Sequence, residues 1–192
     1  MVSQEKTYQQ FENIKELCLD IFNRKMHDYG SAWRILRSSS ITDQIYIKAQ
    51  RIRSIQDKGT QKINEGIKPE FIGIVNYSVM ALIQLEMGHA QEADLSLEQA
   101  SQKYQFYYDK ARALMQDKNH DYGEAWREMR ITSLADIILM KLLRIKQIED
   151  NKGETSISEG IDANYYDIIN YAIFALIKLE SNQETKSQTK PM

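Results

Sequence analysis

The 192-residue sequence contains one cysteine, two prolines and eight glycines. A single cysteine excludes an internal disulfide and a thiolate zinc cluster. In its setting, "ELCLDIF", Cys18 reads as a small packed hydrophobe rather than a nucleophile. So little proline and glycine argues against long loops and many-turned β architectures. No apolar run approaches the roughly 20 residues a membrane helix needs, and the longest is "YAIFALIKL". The N-terminal "MVSQEKTYQQ" has no apolar stretch of the signal-peptide kind. A dominant charge sign is also missing. The net charge is −2, from 25 basic and 27 acidic residues that are interspersed. The sequence therefore presents no basic stripe for nucleic acid. Lys/Arg clusters at 34–37, 51–53 and 141–146 support only a weaker nucleic-acid reading, against which the net charge argues. The expectation is a cytoplasmic chain with neither membrane nor nucleic acid as partner. Its 42 % hydrophobic and 27 % charged content is the balance of a globular protein with a real core.

What the sequence does contain is a repeat. "KMHDYGSAWR" from Lys25 recurs as "KNHDYGEAWR" from Lys118, an offset of 93. The same offset pairs Arg37 with Arg130, Ser40 with Ser133, Asp43 with Asp136, Lys48 with Lys141 and Arg51 with Arg144. After a one-residue insertion the offset becomes 94. It then pairs Glu65-Gly66-Ile67 with Glu159-Gly160-Ile161, and Asn76-Tyr77 with Asn170-Tyr171.

Hydrophobic spacing gives each copy three helices, roughly 5–26, 41–57 and 67–87, then 94–118, 134–150 and 160–181. Ser40 and Ser133 are expected as N-caps, with Asp43 and Asp136 closing capping boxes. Pro69 falls near a first turn. The third helices are apolar on almost every side, which predicts that they are buried against each other near a pseudo-twofold axis. The expected fold is all-α: a six-helix bundle made of two three-helix repeats, 1–91 and 92–181, followed by a polar tail at 182–192 expected to be disordered.

Several repeated residues are polar where packing alone would ask for apolar ones. Lys48 and Lys141 sit within isoleucine stripes of the second helices, with Arg51 and Arg144 one turn on. Each lysine must reach solvent, a carboxylate or a ligand. Asn76 and Asn170 lie within the apolar third helices and need hydrogen-bond partners, whether to lock helix register or to hold a ligand. Tyr77 and Tyr171 carry hydroxyls that need the same. The second copy places Glu159, Asp162 and Asp167 before Asn170, whereas the first has Glu65, Lys68 and Gly73. If carboxylates hold a divalent cation, the second copy is the candidate. In the corner segment, Tyr29, Gly30 and Trp33, like Tyr122, Gly123 and Trp126, suit a structural helix corner. His27-Asp28 and His120-Asp121 are instead suited to general-base or phosphate contacts. Only three histidines occur, so zinc is not expected.

The order K-x-H-D-Y-G-x-x-W, then K-x-x-R-I, then an acid followed by D-x-x-N-Y-A, resembles the nucleotide modification associated domain family (first type), formerly a domain of unknown function. The resemblance covers about 5–87 and 94–181 and implies a role in nucleotide or modified-base pathways rather than a particular reaction. Relative to the family pattern, an acid one turn before the D-x-x-N-Y aspartate is replaced by Ala163 and Pro69, and the aspartate itself by Gly73. The first copy therefore reads as the more degenerate. The third helix is also faintly similar to all-α nucleoside triphosphate pyrophosphohydrolases, which hold Mg²⁺ with E-x-x-E helix pairs. The spaced acids Glu12, Glu16 and Asp20 are not repeated and read as a solvated face.

Two functions fit. In the first, the protein binds a nucleotide or phosphorylated ligand and extends to Mg²⁺-dependent phosphohydrolysis. Lys141, Arg144, Tyr122, Asn170 and Tyr171 would contact the ligand, with weaker first-copy equivalents in His27, Asp28, Tyr29, Lys48, Arg51, Asn76 and Tyr77. Glu159, Asp162 and Asp167 would hold Mg²⁺, and His120 with Asp121 would supply the base. In the second, the chain is a non-enzymatic helical interaction module whose corner is purely structural. A homodimer is compatible with either.

Overall fold

The computed structural model describes residues 2–59, 66–157 and 159–188, with side chains described over 5–59, 66–157 and 159–182. Among these residues six α-helices follow in order: α1 (Val2–Tyr29), α2 (Ser38–Lys58), α3 (Lys68–Met87), α4 (Leu97–Tyr122), α5 (Ile131–Asp150) and α6 (Ile161–Gln188). One 3₁₀ turn (Ala32–Ile35) joins α1 to α2 and another (Ala125–Glu128) joins α4 to α5. The described residues contain no strand. No described helix is long and apolar enough to cross a membrane.

The third helices α3 and α6 make the most extensive contact, because nearly every face of each is apolar. α2 packs on α3 as α5 packs on α6, and α2 meets α5 across the same axis. One continuous core runs through both repeats, from Phe11 and Ile14 to Ile173 and Leu176. Neither repeat buries its hydrophobic face alone. The pseudo-twofold is also marked by reciprocal ion pairs. Lys146 lies 2.7 Å from Asp43, and Arg53 lies 3.8 Å from Asp136. The 93-residue offset exchanges one pair for the other.

These pairs correct the expected caps. Asp43 and Asp136 face across the axis instead of closing capping boxes. Ser40 and Ser133 lie inside α2 and α5, whose N-caps are Arg37 and Arg130 in extended conformation, with no side-chain cap bond. The 3₁₀ turn delivers an extended pair of residues into each helix, so the helix starts earlier than the serine. Among the described residues a capping box is formed at α4, where Ser96 and Gln99 bond reciprocally. Pro69 falls in the first turn of α3 as expected. A second correction concerns the end of the chain. α6 continues to Gln188, so the segment read as a tail from 182 is helical through 188. Residues 189–192 lie outside the described residues.

Each corner is built alike. Gly30 and Gly123 adopt φ of 62° and 63°, the left-handed region that ends α1 and α4. Trp33 and Trp126 then turn inward and are buried. The following arginine is a brace. Arg34, 2 % exposed, donates to Asp94 at 2.8 and 3.1 Å and to the Gly88 carbonyl at 2.7 Å, and it also bonds the Gln84 side chain. It thereby ties the inter-repeat linker to the first corner. Gln84 donates back to the Arg34 carbonyl at 2.9 Å. In the second copy Lys178, the counterpart of Gln84, donates to the Arg127 carbonyl.

The Arg34 hydrogen bond and charge hold the Asp94 carboxyl below its ordinary value of 3.8. A depressed acid contributes stability that is complete above the unfolded value and is lost as pH falls through the folded one. Asp94→Asn is therefore expected to lower stability more at pH 7 than at about pH 3, because the contribution fades as pH falls below the ordinary carboxyl value. Urea unfolding of both proteins at the two pH values checks this.

Candidate functional site

In the second repeat the repeated polar residues converge on one carboxylate. Lys141 lies on the buried stripe of α5, among Ile138, Leu142 and Ile145. Its Nζ lies 2.5 Å from one carboxylate oxygen of Asp167 on α6. Lys118, from the end of α4, lies 2.5 Å from the other. Lys141 and Asp167 side chains are only 9 % and 12 % exposed. Burial works against the charge of Lys118, but the Asp167 hydrogen bond and charge outweigh it, and the net effect raises its pKa. Burial, reinforced by Asp167, raises the Tyr171 phenol. Beside them Trp126 stacks on Phe174 at 4.3 Å. The second repeat is thus closed by its own side chains.

In the first repeat the same offsets place Gly73 at the position of Asp167 and Met80 at that of Phe174. The result is a pocket of about 240 Å³. Its polar and aromatic wall is Lys25, Tyr29, Trp33, Lys48, Asn76 and Tyr77; Ile21, Phe22, Met26, Ile72 and Met80 supply the apolar part. Lys48 lies 3.6 Å from the buried Glu70, which also accepts from Arg51, and 5.6 Å from the Tyr77 ring centre. Lys25 has no ion-pair partner among the described residues. Burial, then Tyr77 and Asp28, raise the Tyr29 phenol. The Trp33 indole N–H is buried without a described hydrogen-bond partner, and so is that of Trp126.

Asn76 and Asn170 lock register. Asn76 donates to the Cys18 carbonyl of α1 at 3.1 Å and Asn170 to the Ala111 carbonyl of α4 at 2.9 Å, which are equivalent positions. The copies differ at the amide oxygen. That of Asn76 accepts from the Tyr104 hydroxyl at 2.7 Å, whereas that of Asn170 is buried without a described partner. The counterpart of Tyr104 is Phe11, which has no hydroxyl. Phe11→Tyr is expected to supply the missing donor and add about 1 kcal/mol. Thermal unfolding checks this, and an unchanged or lower melting temperature contradicts it. Cys18 is fully buried, and burial pushes its thiol far above the ordinary range, as suits a packed hydrophobe.

Other sequence-selected residues are not brought to either cluster. His120 Nδ1 lies 3.2 Å from Asp121, and His27 lies 3.8 Å from Asp28; all four side chains are at least 70 % exposed. His120 follows Lys118 by two residues, about 200° round the helix, and lines a separate groove with Thr7, Tyr8 and Met115. Tyr122 is 78 % exposed. Arg144 is exposed and lines a loop-side cleft with Glu159, Asn151 and Asn164. Asp162 is exposed. Both carboxylate oxygens of Asp167 are engaged by lysines, and no three His, Cys, Asp or Glu side chains among the described residues gather as a metal site. Glu65 lies outside the described residues.

The sequence reading left Lys25, Lys118, Trp33 and Gly73 out of the candidate site. Lys25 and Tyr29 stand four residues apart, as do Lys118 and Tyr122. That spacing was available as a signal that each lysine shares a helix face with the corner tyrosine.

A family model described as nucleotide modification associated domain 1 matches residues 25–85 and 118–179, once in each repeat and over more than half of the chain. The chain belongs to this family. Both matches begin at the corner lysine and end within the third helix, so they span the elements that build the pocket in one copy and the Lys-Asp-Lys cluster in the other. Searches of curated proteins and of solved structures give no significant match.

Proposed function

We propose that this nucleotide modification associated domain protein binds a nucleotide, or a similar phosphorylated small molecule, in the pocket of its first repeat. The observation that carries this reading is the wall of that pocket. Lys25 and Lys48 can meet phosphate, while Tyr29, Trp33 and Tyr77 offer ring faces or edges to a base. A volume near 240 Å³ lies just under the roughly 300–1,000 Å³ of ligand pockets, which suits a mononucleotide rather than a polymer. The working copy is then the one that reads as degenerate in sequence. For the second repeat, the closed Lys118-Asp167-Lys141 cluster favours the structural reading, in which its corner serves the bundle.

Thermal unfolding against a panel of nucleoside mono-, di- and triphosphates tests the proposal. At a ligand concentration 100 times Kd the expected stabilisation is about 2.7 kcal/mol, or several degrees in a chain of this size. Lys48→Met should abolish the shift. If no nucleotide moves the transition, the proposal fails. Hydrolysis has its own readout: phosphate or pyrophosphate release with Mg²⁺, and its dependence on Glu159, Asp162, Asp167 and His120-Asp121.

A further inference from the structure

In the second repeat one carboxylate satisfies two ammonium groups, each of its oxygens taking one lysine at 2.5 Å. The offsets carry Lys118 to Lys25, Lys141 to Lys48 and Asp167 to Gly73. The first repeat has kept both cations and lost the anion between them. Among the described residues, the carboxylate that replaces it is Glu70, 3.6 Å from Lys48 and shared with Arg51. Lys25 has none among the described residues.

Gly73 has no backbone reason to be glycine. It lies inside α3 and is not among the residues with positive φ. Within a helix, glycine costs about 0.5–1 kcal/mol relative to alanine. What it provides is space. A Cβ at this position would stand 2.8 Å from Cδ and Cε of Lys48, so the lysine stem already crosses the vacated volume at the pocket wall. Two ammonium groups beside a cavity that is partly apolar favour an anion brought from outside.

We infer that the anionic group of the ligand takes the place of the missing carboxylate, between Lys25 and Lys48 and against Gly73, so that the second repeat is the self-occupied version of the site in the first. This rests on the binding reading above and adds the position and chemistry of the anion. The group is a phosphate or a carboxylate, since either presents two oxygens to two ammonium donors, and the nucleotide reading makes it the phosphate. The rest of the ligand then lies toward Tyr29, Trp33 and Tyr77.

Gly73→Asp supplies the carboxylate from the chain itself. The nearest atoms belong to a flexible side chain, so the variant should fold and melt above wild type, by relief of the helical glycine and by new pairing with Lys25 and Lys48. Calorimetric titration would use a nucleoside 5′-monophosphate that shifts wild type, the matching nucleoside and the matching nucleoside 5′-carboxylate. Wild type should prefer the monophosphate to the nucleoside by at least about tenfold. Gly73→Asp should lose that preference and keep the affinity for the nucleoside. Lys25→Met, which leaves the glycine in place, should reduce the preference at least about fivefold. A 5′-carboxylate that binds as tightly as the phosphate supports the anion place and identifies the group as either oxyanion; a weaker one assigns it to phosphate. If wild type binds the monophosphate and Gly73→Asp binds it equally well, the anion lies elsewhere and the inference is overturned while the binding reading stands. If wild type binds neither phosphate nor nucleoside, the binding reading itself fails.

Discussion

Asp167→Ala is expected to destabilise the fold by about 3–5 kcal/mol, the usual cost of leaving a buried charge unpaired, lowering the melting temperature by roughly 10 °C or more. The reason is asymmetric burial. Lys118 is 53 % exposed and can hydrate once its partner is gone. Lys141 is 9 % exposed, held among isoleucines and leucines, and cannot. Removing the exposed lysine should therefore cost far less, within about 1 kcal/mol for Lys118→Ala. Replacing the buried pair together, Lys141→Met with Asp167→Leu, should recover most of the loss, because the desolvation of both charges disappears with them. Urea and thermal unfolding of the set check the account. If Asp167→Ala falls within 1 kcal/mol of wild type, then Lys141 reaches solvent and the second repeat is not closed.

Arg34→Met is the second large expected effect, again about 3–5 kcal/mol. The guanidinium is 2 % exposed and joins four groups: Asp94, Gln84, the Gly88 carbonyl and, through Gln84, the corner's own carbonyls. Deleting it leaves a buried amide and a carbonyl without donors and frees the linker between the repeats. Arg127, its counterpart, is 28 % exposed and bonds Thr7, Gln10 and Glu124 without a linker to hold. Arg127→Met should cost about half as much or less, because water can replace those partners. Arg37→Ala, at an exposed N-cap with no side-chain cap bond, should stay within about 0.5 kcal/mol. Unfolding of the three variants side by side checks the ranking, and equal losses in Arg34→Met and Arg127→Met would contradict it.

The fold was largely legible because it rests on periodicity and repetition. Isoleucines at helical spacing located α2 and α5, and the all-round apolar sequence of α3 and α6 located the centre of the bundle. The helix starts were missed by three residues because a local Ser-x-x-Asp signal was outcompeted. The 3₁₀ corner set the entry of the chain, and Asp43 and Asp136 were needed across the pseudo-twofold. Lys48, Lys141, Asn76 and Asn170 were correctly marked as polar groups needing partners, but the identity of those partners is tertiary information. Gly73 misled most. In a one-dimensional comparison a missing aspartate reads as decay. In three dimensions the aspartate is the lysines' own counter-ion, and its absence leaves a pocket. The position of His-Asp was not legible either: two residues of helix turn it to an exposed face, away from the lysine it follows.

The central claim, that the ligand site lies in the first repeat, can be tested with the two tryptophans. Trp33 lines the open pocket and Trp126 is stacked under Phe174 in the closed repeat. Each carries a buried indole N–H with no described partner. In a ¹⁵N–¹H correlation spectrum they give two resolved indole signals, assigned with Trp126→Phe. Titration with a nucleoside monophosphate should move the Trp33 signal in a saturable way and leave that of Trp126 in place. Movement of Trp126 alone, or of neither, would contradict the account.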